Sequence, residues 1–411
     1  MTRLSEEQFC VYLYDRLVGR LHRRGDLTRF VFEEGYWEDP NRAVLGLRFE
    51  ENPRARHQSN MRLPPWFSNL LPEGRLREWI AKARRTSTER EMELLAQVGY
   101  DLPGAVRVLT ADPVVPVDLS DSGDAGAGRS TSMDSLWSFS LAGVGLKFSM
   151  LAQGDRLTIP ARGERGDWIV KLPDPTYPGV PENELAMMTL AKAVGIEVPE
   201  VRLMHRDEVE PLPERIWSGQ NYLFAVKRFD RGPQRELIHI EDLAQVRGFY
   251  PDAKYQGSFE TVGALAYRGH DIESFREFTR RLTFNILIGN GDAHLKNWSL
   301  IYRDPQTPTL APAYDLVATF VYRPSVEGPE EMALGFGRSK RFEDVRISTF
   351  SRLDEKLGAK AELSDTARIL VDQVVAEWPR AAALLKDYPE VCRRIEVFIR
   401  QRASQLTGRS R

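Results

Sequence analysis

The chain has 411 residues, of which 42% are hydrophobic and 28% are charged, and its formal net charge is −2. This composition is typical of a globular protein of two or three domains, and the balanced charge argues against a surface that coats nucleic acid or membranes along the whole chain. The two cysteines stand at opposite ends without metal-ligand or disulfide spacing, and we find neither a targeting segment nor an apolar run of the roughly 18 residues that span a membrane, so we expect a cytoplasmic protein without a membrane partner.

The first part of the chain, residues 1–111, is predicted to be a small α+β domain. Short apolar runs at 11–13 and 29–32 have the character of strands, and a helical section is expected after Pro64-Pro65-Trp66. Residues 112–135 are rich in Pro, Ser, Gly and Asp, so they predict a flexible linker or loop.

Residues 136–232 are predicted to form a β-rich nucleotide-binding lobe. A glycine loop, S-L-A-G-V-G-L-K, occupies residues 140–147, and its missing side chains would let backbone N–H groups approach a phosphate. A β-prone run ends at Lys171, where a lysine could reach the α- and β-phosphates of a nucleotide, although strand-end lysines are also common surface residues. The helical segment that follows carries Glu184 as a possible partner for Lys171.

A second strand-like run, residues 222–229, leads to a predicted hinge between two lobes. An adenine could there bond backbone groups of Lys227, Arg228 and Phe229. The alternative for Phe229 is ordinary core packing.

Residues 233–411 are predicted to be a mainly helical lobe built around one polar loop at 284–299, F-N-I-L-I-G-N-G-D-A-H-L-K-N-W-S. Asp292 and Asn297 stand five positions apart, which is the spacing of the protein-kinase catalytic loop, where the Asp orients a substrate hydroxyl and the Asn holds Mg²⁺. Lys296 could offset developing phosphate charge. Taken alone, the Asn-Gly-Asp tripeptide would be an ordinary turn.

Further along, Tyr314-Asp315-Leu316 matches the position of the kinase metal-binding Asp. Asn297 and Asp315 would supply oxygen ligands to Mg²⁺ from two loops. His294 has no second His or Cys at ligand spacing, so a loop-shaping hydrogen bond is favoured over metal binding. The chain order of glycine loop, strand lysine, acidic helix, Asp-Asn pair and metal Asp predicts a phosphoryl-transfer site.

Four segments carry a resemblance to the HipA family of bacterial serine/threonine-kinase toxins. They are S-L-A-G-x-x-x-K at 140–147, the run at 226–231, N-G-D-x-H-x-K-N-x-S at 290–299 and F-x-N-L-L-P-E at 67–73. The resemblance implies an α+β, two-lobed protein-kinase-like fold with an appended small α+β N-terminal subdomain and a mainly helical C-terminal lobe.

The resemblance also implies ATP and Mg²⁺ as cofactors, a helix-turn-helix antitoxin through which the protein reaches DNA indirectly, and a protein substrate, often an aminoacyl-tRNA synthetase. The predicted catalytic residues are Asp292 and Lys296, and the predicted metal ligands are Asn297 and Asp315. The predicted nucleotide-binding residues are Ala142, Gly143, Val144, Gly145, Lys147, Lys171, Lys227, Arg228, Phe229, His294, Asn297, Tyr314 and Asp315.

Ser140, which opens the glycine loop, resembles the serine that HipA-like kinases autophosphorylate to switch themselves off. A phosphate there would compete electrostatically with the nucleotide for the backbone N–H groups of the loop. The alternative is that the Ser140 hydroxyl caps a turn.

Two other functions stay open on the residues alone. A small-molecule phosphotransferase would use the same Asp292, Asn297 and Asp315 chemistry with a closed acceptor pocket instead of a protein-docking groove. A non-catalytic DNA-bound regulator would use the kinase fold chiefly to assemble with an antitoxin.

Overall fold

A computed structural model describes residues 6–83, 86–111, 147–154, 156–158, 160, 164–210, 212, 217 and 219–408. The predicted linker at 112–135 lies outside the described residues. The predicted site residues that also lie outside them are Ser140, Ala142, Gly143, Val144 and Gly145.

The N-terminal domain consists of one antiparallel sheet with short helices packed on it. Its elements are β1 Glu6–Leu13, β2 Arg16–Arg24, β3 Leu27–Phe32, β4 His57–Asn60 and β5 Val106–Thr110, with α1 Glu34–Trp37, α2 Leu47–Glu51, α3 Pro65–Ser68, α4 Gly74–Ala83 and α5 Glu91–Val98. The strand order is β4-β3-β2-β1-β5. The predicted strands at 11–13 and 29–32 and the helical section after Trp66 are therefore confirmed.

A second antiparallel sheet carries the predicted strand lysine. Its strands are β6 Lys147–Gln153, β7 Arg156–Thr158, β8 Trp168–Lys171, β9 Val201–His205 and β10 Tyr222–Lys227, in the order β7-β6-β8-β10-β9. Lys147 on β6 lies directly opposite Lys171 on β8. Residues paired in this way project to the same face of a sheet, so the two ammonium groups approach one place. The helix α6, Val180–Ala193, follows and carries the buried Glu184.

The two sheets share one hydrophobic core, although the sequence predicts them as separate domains. Phe9, Val11 and Phe67 of the first sheet region belong to the same buried cluster as Val170 and Leu223 of the second. The N-terminal domain is thus packed against the β-rich lobe through buried apolar contacts and not only through a linker.

The C-terminal lobe is mainly helical, with short strands near the predicted polar loop. Its helices are α7 Leu243–Arg247, α8 Phe259–Tyr267, α9 Ile272–Ile288, α10 Ile347–Leu357, α11 Leu363–Ala382 and α12 Pro389–Thr407, and its strands are β11 His239–Asp242, β12 Ser299–Tyr302, β13 Thr309–Leu310, β14 Glu331–Phe336 and β15 Ser339–Arg341. Among the described residues, no helix has the length and apolar character needed to cross a membrane.

The central helix α9 delivers the chain to the predicted catalytic loop. The Asp271 side chain accepts a hydrogen bond from Ser274 N (2.9 Å) and so caps its first turn. The helix ends at Ile288, and the next residue, Gly289, has a φ of 65°. A side chain at Gly289 would also collide with the Phe320 and Phe398 rings, since a Cβ there would lie 2.6 and 2.9 Å from their carbons. Glycine therefore permits the sharp turn into the polar loop.

Candidate active site

The predicted catalytic loop is fixed from within by its asparagines. Asn290 is buried, its Nδ2 donates to Asn285 Oδ1 (2.7 Å), and its Oδ1 accepts from Asp292 N (3.0 Å). Asn297 Nδ2 donates to the Asp292 carbonyl (2.8 Å). The backbone around Asp292 is thus fixed, and because its Nδ2 is used, Asn297 has its amide oxygen to offer as a ligand atom.

Asp292 projects from this fixed loop towards solvent. Its side chain is 52% exposed, and its Oδ1 accepts a hydrogen bond from the Tyr255 hydroxyl (2.6 Å). Burial raises the pKa of the Tyr255 phenol, and the nearby Asp292 carboxylate raises it further. Tyr255 therefore stays a proton donor. The Asp292 carboxylate is therefore oriented and accessible, which suits a group that accepts a proton from a substrate hydroxyl.

The His294 side chain packs beside this pair, and among the described residues it does not make the predicted loop-shaping hydrogen bond. Its ring meets the Tyr255 ring edge-on at 5.1 Å, and its Nε2 lies 3.9 Å from Asp292 Oδ1, beyond hydrogen-bond distance. Among the described residues its Nδ1 has no hydrogen-bond partner. Burial lowers the pKa of His294 to about 4, so the ring is neutral near pH 7. Within the described part of the chain, aromatic packing thus takes the place of the expected side-chain hydrogen bond.

The predicted metal aspartate lies against the two strand lysines. Asp315 has a φ of 55°, contacts Lys171 Nζ through one carboxylate oxygen and lies 3.2 Å from Lys147 Nζ through the other. Lys171 Nζ also contacts the buried Glu184, so the partner suggested by the sequence is observed. Burial raises the pKa of Asp315, but Lys147 and Lys171 outweigh it and hold that pKa well below its usual range. Asp315 is therefore ionised.

The predicted hinge follows β10. Lys227 N donates to Glu200 O (2.8 Å) and Arg228 N donates to Asp167 O (2.8 Å), so two of the backbone groups suggested for adenine binding are already used. Phe229 is half-buried, and its ring lies 5.5 Å from the Tyr314 ring. The two rings form an apolar wall where a purine could pack.

Arg228 itself is part of a buried ion cluster that joins the hinge to the N-terminal domain. Its guanidinium lies 2.8 Å from Asp101 Oδ1 and 2.8 Å from Asp230 Oδ2, and Arg231 contacts the same two carboxylates at 2.9 and 3.0 Å. Ser149 Oγ also donates to Asp101 (2.7 Å). The two guanidinium groups balance the two carboxylates, and the cluster ties the hinge to the N-terminal domain.

Replacing Arg228 by Met should therefore destabilise the fold by about 3–5 kcal/mol, because two buried carboxylates would lose a partner. Urea unfolding followed by circular dichroism measures this change in the free energy of unfolding. Arg202→Met is the matched control, since Arg202 pairs with Glu200 at the surface and should cost less than about 1 kcal/mol. Equal losses in the two variants would contradict a structural role for the cluster.

Lys296 is buried, and its ammonium group is surrounded by oxygen atoms. It donates to Asn69 O (2.9 Å) and Asn69 Oδ1 (3.1 Å), and lies 3.2 Å from Glu73 Oε1 and 3.3 Å from Asp242 Oδ2. Burial raises the pKa of Glu73, but Lys296 and Lys254 outweigh it and lower that pKa to about 2. Asn69 and Glu73 come from the N-terminal domain, and the sequence did not single them out as site residues. The available signal was a polar Asn and Glu within the largely apolar F-x-N-L-L-P-E segment.

One cavity of about 330 Å³ collects these groups. Every predicted site residue that the structure describes lines it: Lys147, Lys171, Lys227, Arg228, Phe229, Asp292, His294, Lys296, Asn297, Tyr314 and Asp315. Asn69 and Glu73 line it as well. The structure thus brings the predicted residues together, while their chemical roles remain predictions.

Comparison with known proteins agrees with this arrangement. The family model for the HipA-like C-terminal domain matches residues 139–381, and that for the HipA N-terminal domain matches residues 9–109. A putative kinase of Sinorhizobium fredii, Y4dM, is 44% identical over 384 residues, which cover 90% of each chain. The serine/threonine-protein kinase toxin HipA of Shewanella oneidensis is 27% identical over 350 residues, covering 76% of this chain and 75% of that protein.

The fold also has a solved relative. A chain in the complex of Shewanella oneidensis MR-1 HipA, HipB and operator DNA superposes with a TM-score of 0.75 at 20% identity, covering 97% of both chains. The predicted α+β, two-lobed kinase-like fold is thereby confirmed.

Proposed function

The chain belongs to the HipA family, and on that premise we propose that it is a cytoplasmic, ATP- and Mg²⁺-dependent serine/threonine-protein kinase toxin. The observation that carries the proposal is the convergence of Lys171, Asp292, Asn297 and Asp315 on one cavity. These residues come from a strand end and two loops, in the chain order of the protein kinases. Charge-bearing groups so arranged suit the transfer of a phosphoryl group.

The residues around the cavity fit a nucleotide with a divalent ion. Lys147 and Lys171 supply two ammonium groups for phosphate oxygens, and the Phe229–Tyr314 wall supplies an apolar surface for the base. The Asn297 amide oxygen and the ionised Asp315 would hold Mg²⁺ as hard oxygen ligands. When bound, Mg²⁺ neutralises phosphate charge and aligns the leaving group.

Asp292 supplies the proton chemistry in this proposal. The acceptor hydroxyl would hydrogen-bond to the Asp292 carboxylate, its oxygen would bond to the γ-phosphorus as the bond to the β-phosphate oxygen breaks, and ADP would leave. The hydroxyl proton would pass to Asp292. Tyr255 orients the carboxylate throughout by its hydrogen bond to Oδ1.

We infer the partners from the relatives. The solved Shewanella oneidensis assembly contains HipB and operator DNA, and this supports a helix-turn-helix antitoxin of the HipB type that carries this chain to DNA. The proposed substrate is a protein of the translation machinery, of which an aminoacyl-tRNA synthetase is the first candidate.

Labelled ATP tests the proposed function directly. Purified protein incubated with γ-labelled ATP, Mg²⁺ and a lysate should label a protein band on a gel, and phosphoproteomics would identify the acceptor. Label found only in small molecules would support the phosphotransferase alternative. The absence of any ATP-dependent labelling would leave the DNA-bound regulator as the better account.

We also propose that phosphorylation of Ser140 inactivates the protein. Protein incubated with Mg-ATP should gain phosphate at Ser140 and lose ATP affinity, because about −1.5 to −2 charges would enter the phosphate-binding loop. Mass spectrometry and nucleotide titration measure the two changes, and Ser140→Ala should keep its activity longer. Unmodified Ser140 in protein that has phosphorylated its substrate and lost activity would contradict the proposal.

A further inference from the structure

The predicted catalytic lysine is held by the N-terminal domain and not by its own lobe alone. Lys296 Nζ donates to both oxygens of Asn69, and Glu73 Oε1 lies 3.2 Å away. The Lys296 side chain is only 3% exposed. An ammonium group has three protons to donate, so these contacts largely satisfy it at the cavity wall.

Asn69 is itself fixed between the domain and the lobe. Its Nδ2 donates to Pro65 O (2.8 Å) within the N-terminal domain and to Phe249 O (2.7 Å) of the C-terminal lobe. With both amide protons used in this way, the Asn69 Oδ1 must point to Lys296. The side chain is buried, so this orientation is not exchanged for contacts with solvent.

Glu73 connects Lys296 to the segment that orients Asp292. Its Oε2 accepts from Lys254 Nζ (2.8 Å), and Lys254 is also buried. The next residue, Tyr255, donates its hydroxyl hydrogen to Asp292 Oδ1 (2.6 Å). A continuous set of contacts therefore runs from Glu73 to both predicted catalytic side chains.

Charge explains why a carboxylate is needed at Glu73. Lys254 and Lys296 are compensated by Glu73 and Asp242, and all four side chains are at most 12% exposed. Neutralising Glu73 would leave the cluster with one excess buried positive charge. The lysines would then move apart or draw in water, because an unpaired buried charge is strongly unfavourable.

We propose that the N-terminal domain completes the active site, with Glu73, supported by Asn69, as the positioning residue that fixes Lys296 and, through Lys254 and Tyr255, Asp292. This inference rests on the proposed kinase activity and adds a role for a domain outside the two kinase lobes. Glu73 acts through other side chains, so its removal should slow the chemical step more than it weakens ATP binding.

The test measures the steady-state kinetics of Glu73→Gln with γ-labelled ATP and the acceptor protein that the labelling experiment identifies. We expect kcat to fall about ten- to a hundredfold, the size of effect that misplacing a catalytic group produces, and the KM for ATP to change less than about threefold. Glu93→Gln is the matched control, because Glu93 is a carboxylate of the same domain that likewise pairs with two cations, Arg23 and Arg90, but contacts none of the site residues. It should keep wild-type kinetics.

A double-variant cycle separates positioning from general destabilisation. In a Lys296→Met background, Glu73→Gln should lower kcat by clearly less than it does in the wild type, because the Lys296 ammonium group that Glu73 positions is already absent. If Glu73→Gln yields no folded protein, Glu73→Asp is measured instead, with the same kcat effect expected at smaller size.

Different results would contradict the positioning role of Glu73 and the proposed kinase activity. An unchanged kcat, a loss confined to the KM for ATP, an equal loss in Glu93→Gln or full additivity with Lys296→Met would each overturn the positioning role while leaving the kinase intact. A wild-type protein that transfers no phosphate would instead remove the proposed function itself.

Discussion

Asp292→Asn is expected to lower phosphoryl transfer by about two to four orders of magnitude, the usual contribution of a positioned proton acceptor. The amide keeps the shape of the carboxylate and can still accept the Tyr255 hydrogen bond at its Oδ1. It cannot accept the proton of a substrate hydroxyl. Because the Asp292 side chain is half exposed and its backbone is fixed by Asn290 and Asn297, the fold should not change.

The measurement is initial-rate transfer from labelled ATP, accompanied by a melting curve and a nucleotide titration. Both accompanying values should stay near those of the wild type. Asp252→Asn is a suitable control, since Asp252 is an aspartate of the same lobe with a 73% exposed side chain that pairs with Arg62. Wild-type transfer by Asp292→Asn, after removal of contaminating kinases, would reject the assignment.

The sequence could predict Asp292 and Asn297 as a pair because five positions of one loop determine their distance. The strand that ends at Lys171 was likewise visible, since a short β-prone run and its last residue are local features. Even the Lys171–Glu184 contact needed only a strand and the next helix. Local patterns therefore accounted for the positions of these groups.

Contacts between distant parts of the chain could not be predicted in this way. Asn69 and Lys296 are 227 positions apart, and Asp101 and Arg228 are 127 apart. No local pattern states which buried carboxylate meets which cation, because that depends on how the N-terminal domain packs on both lobes. The shared core of the two sheets was missed for the same reason.

Two secondary-structure elements show the remaining difficulty. The strand β2 was not predicted, because its many charged residues obscure the pattern of the buried Val18 and Leu21. In the structure, two of these charged residues, Arg20 and Arg23, pair with Glu33 and Glu7. Within the lobe that was predicted to be mainly helical, the boundary between α11 and α12 was not predicted either.

The helix α11 ends at Ala382, and the helix α12 begins with Pro389 at its first position. A proline is favoured there because it lacks the N–H that a first helical residue leaves unpaired. That proline was the available signal in the sequence.

Asp315→Asn should remove the dependence on Mg²⁺ together with phosphoryl transfer. We expect transfer to fall by at least about a hundredfold, because a neutral amide offers a divalent ion much less charge than a carboxylate does. In the wild type, ATP should raise the melting temperature more with Mg²⁺ than with EDTA, since an ion that binds the folded state stabilises it. In Asp315→Asn that difference should disappear.

The same substitution should also weaken the ligand-free fold, by an amount that depends on pH. At neutral pH it leaves Lys147 and Lys171 without the carboxylate they share, which should cost about 1–3 kcal/mol. Because the folded-state pKa of Asp315 is depressed, this stabilisation is present above the usual aspartate value of 3.8 and is lost as the pH falls below it. The stability gap between wild type and variant should therefore be constant above about pH 5 and shrink below about pH 4.

Unfolding in urea at several pH values measures the gap, with the surface substitution Asp365→Asn as the control that should show little difference from the wild type. A variant that keeps its Mg²⁺-dependent shift in melting temperature would show that Asp315 is not the metal ligand. A stability gap that grows towards acid pH would show that Lys147 and Lys171 do not hold Asp315 in its charged form. Because binding and unfolding are measured separately, the two roles of this one carboxylate can be judged independently.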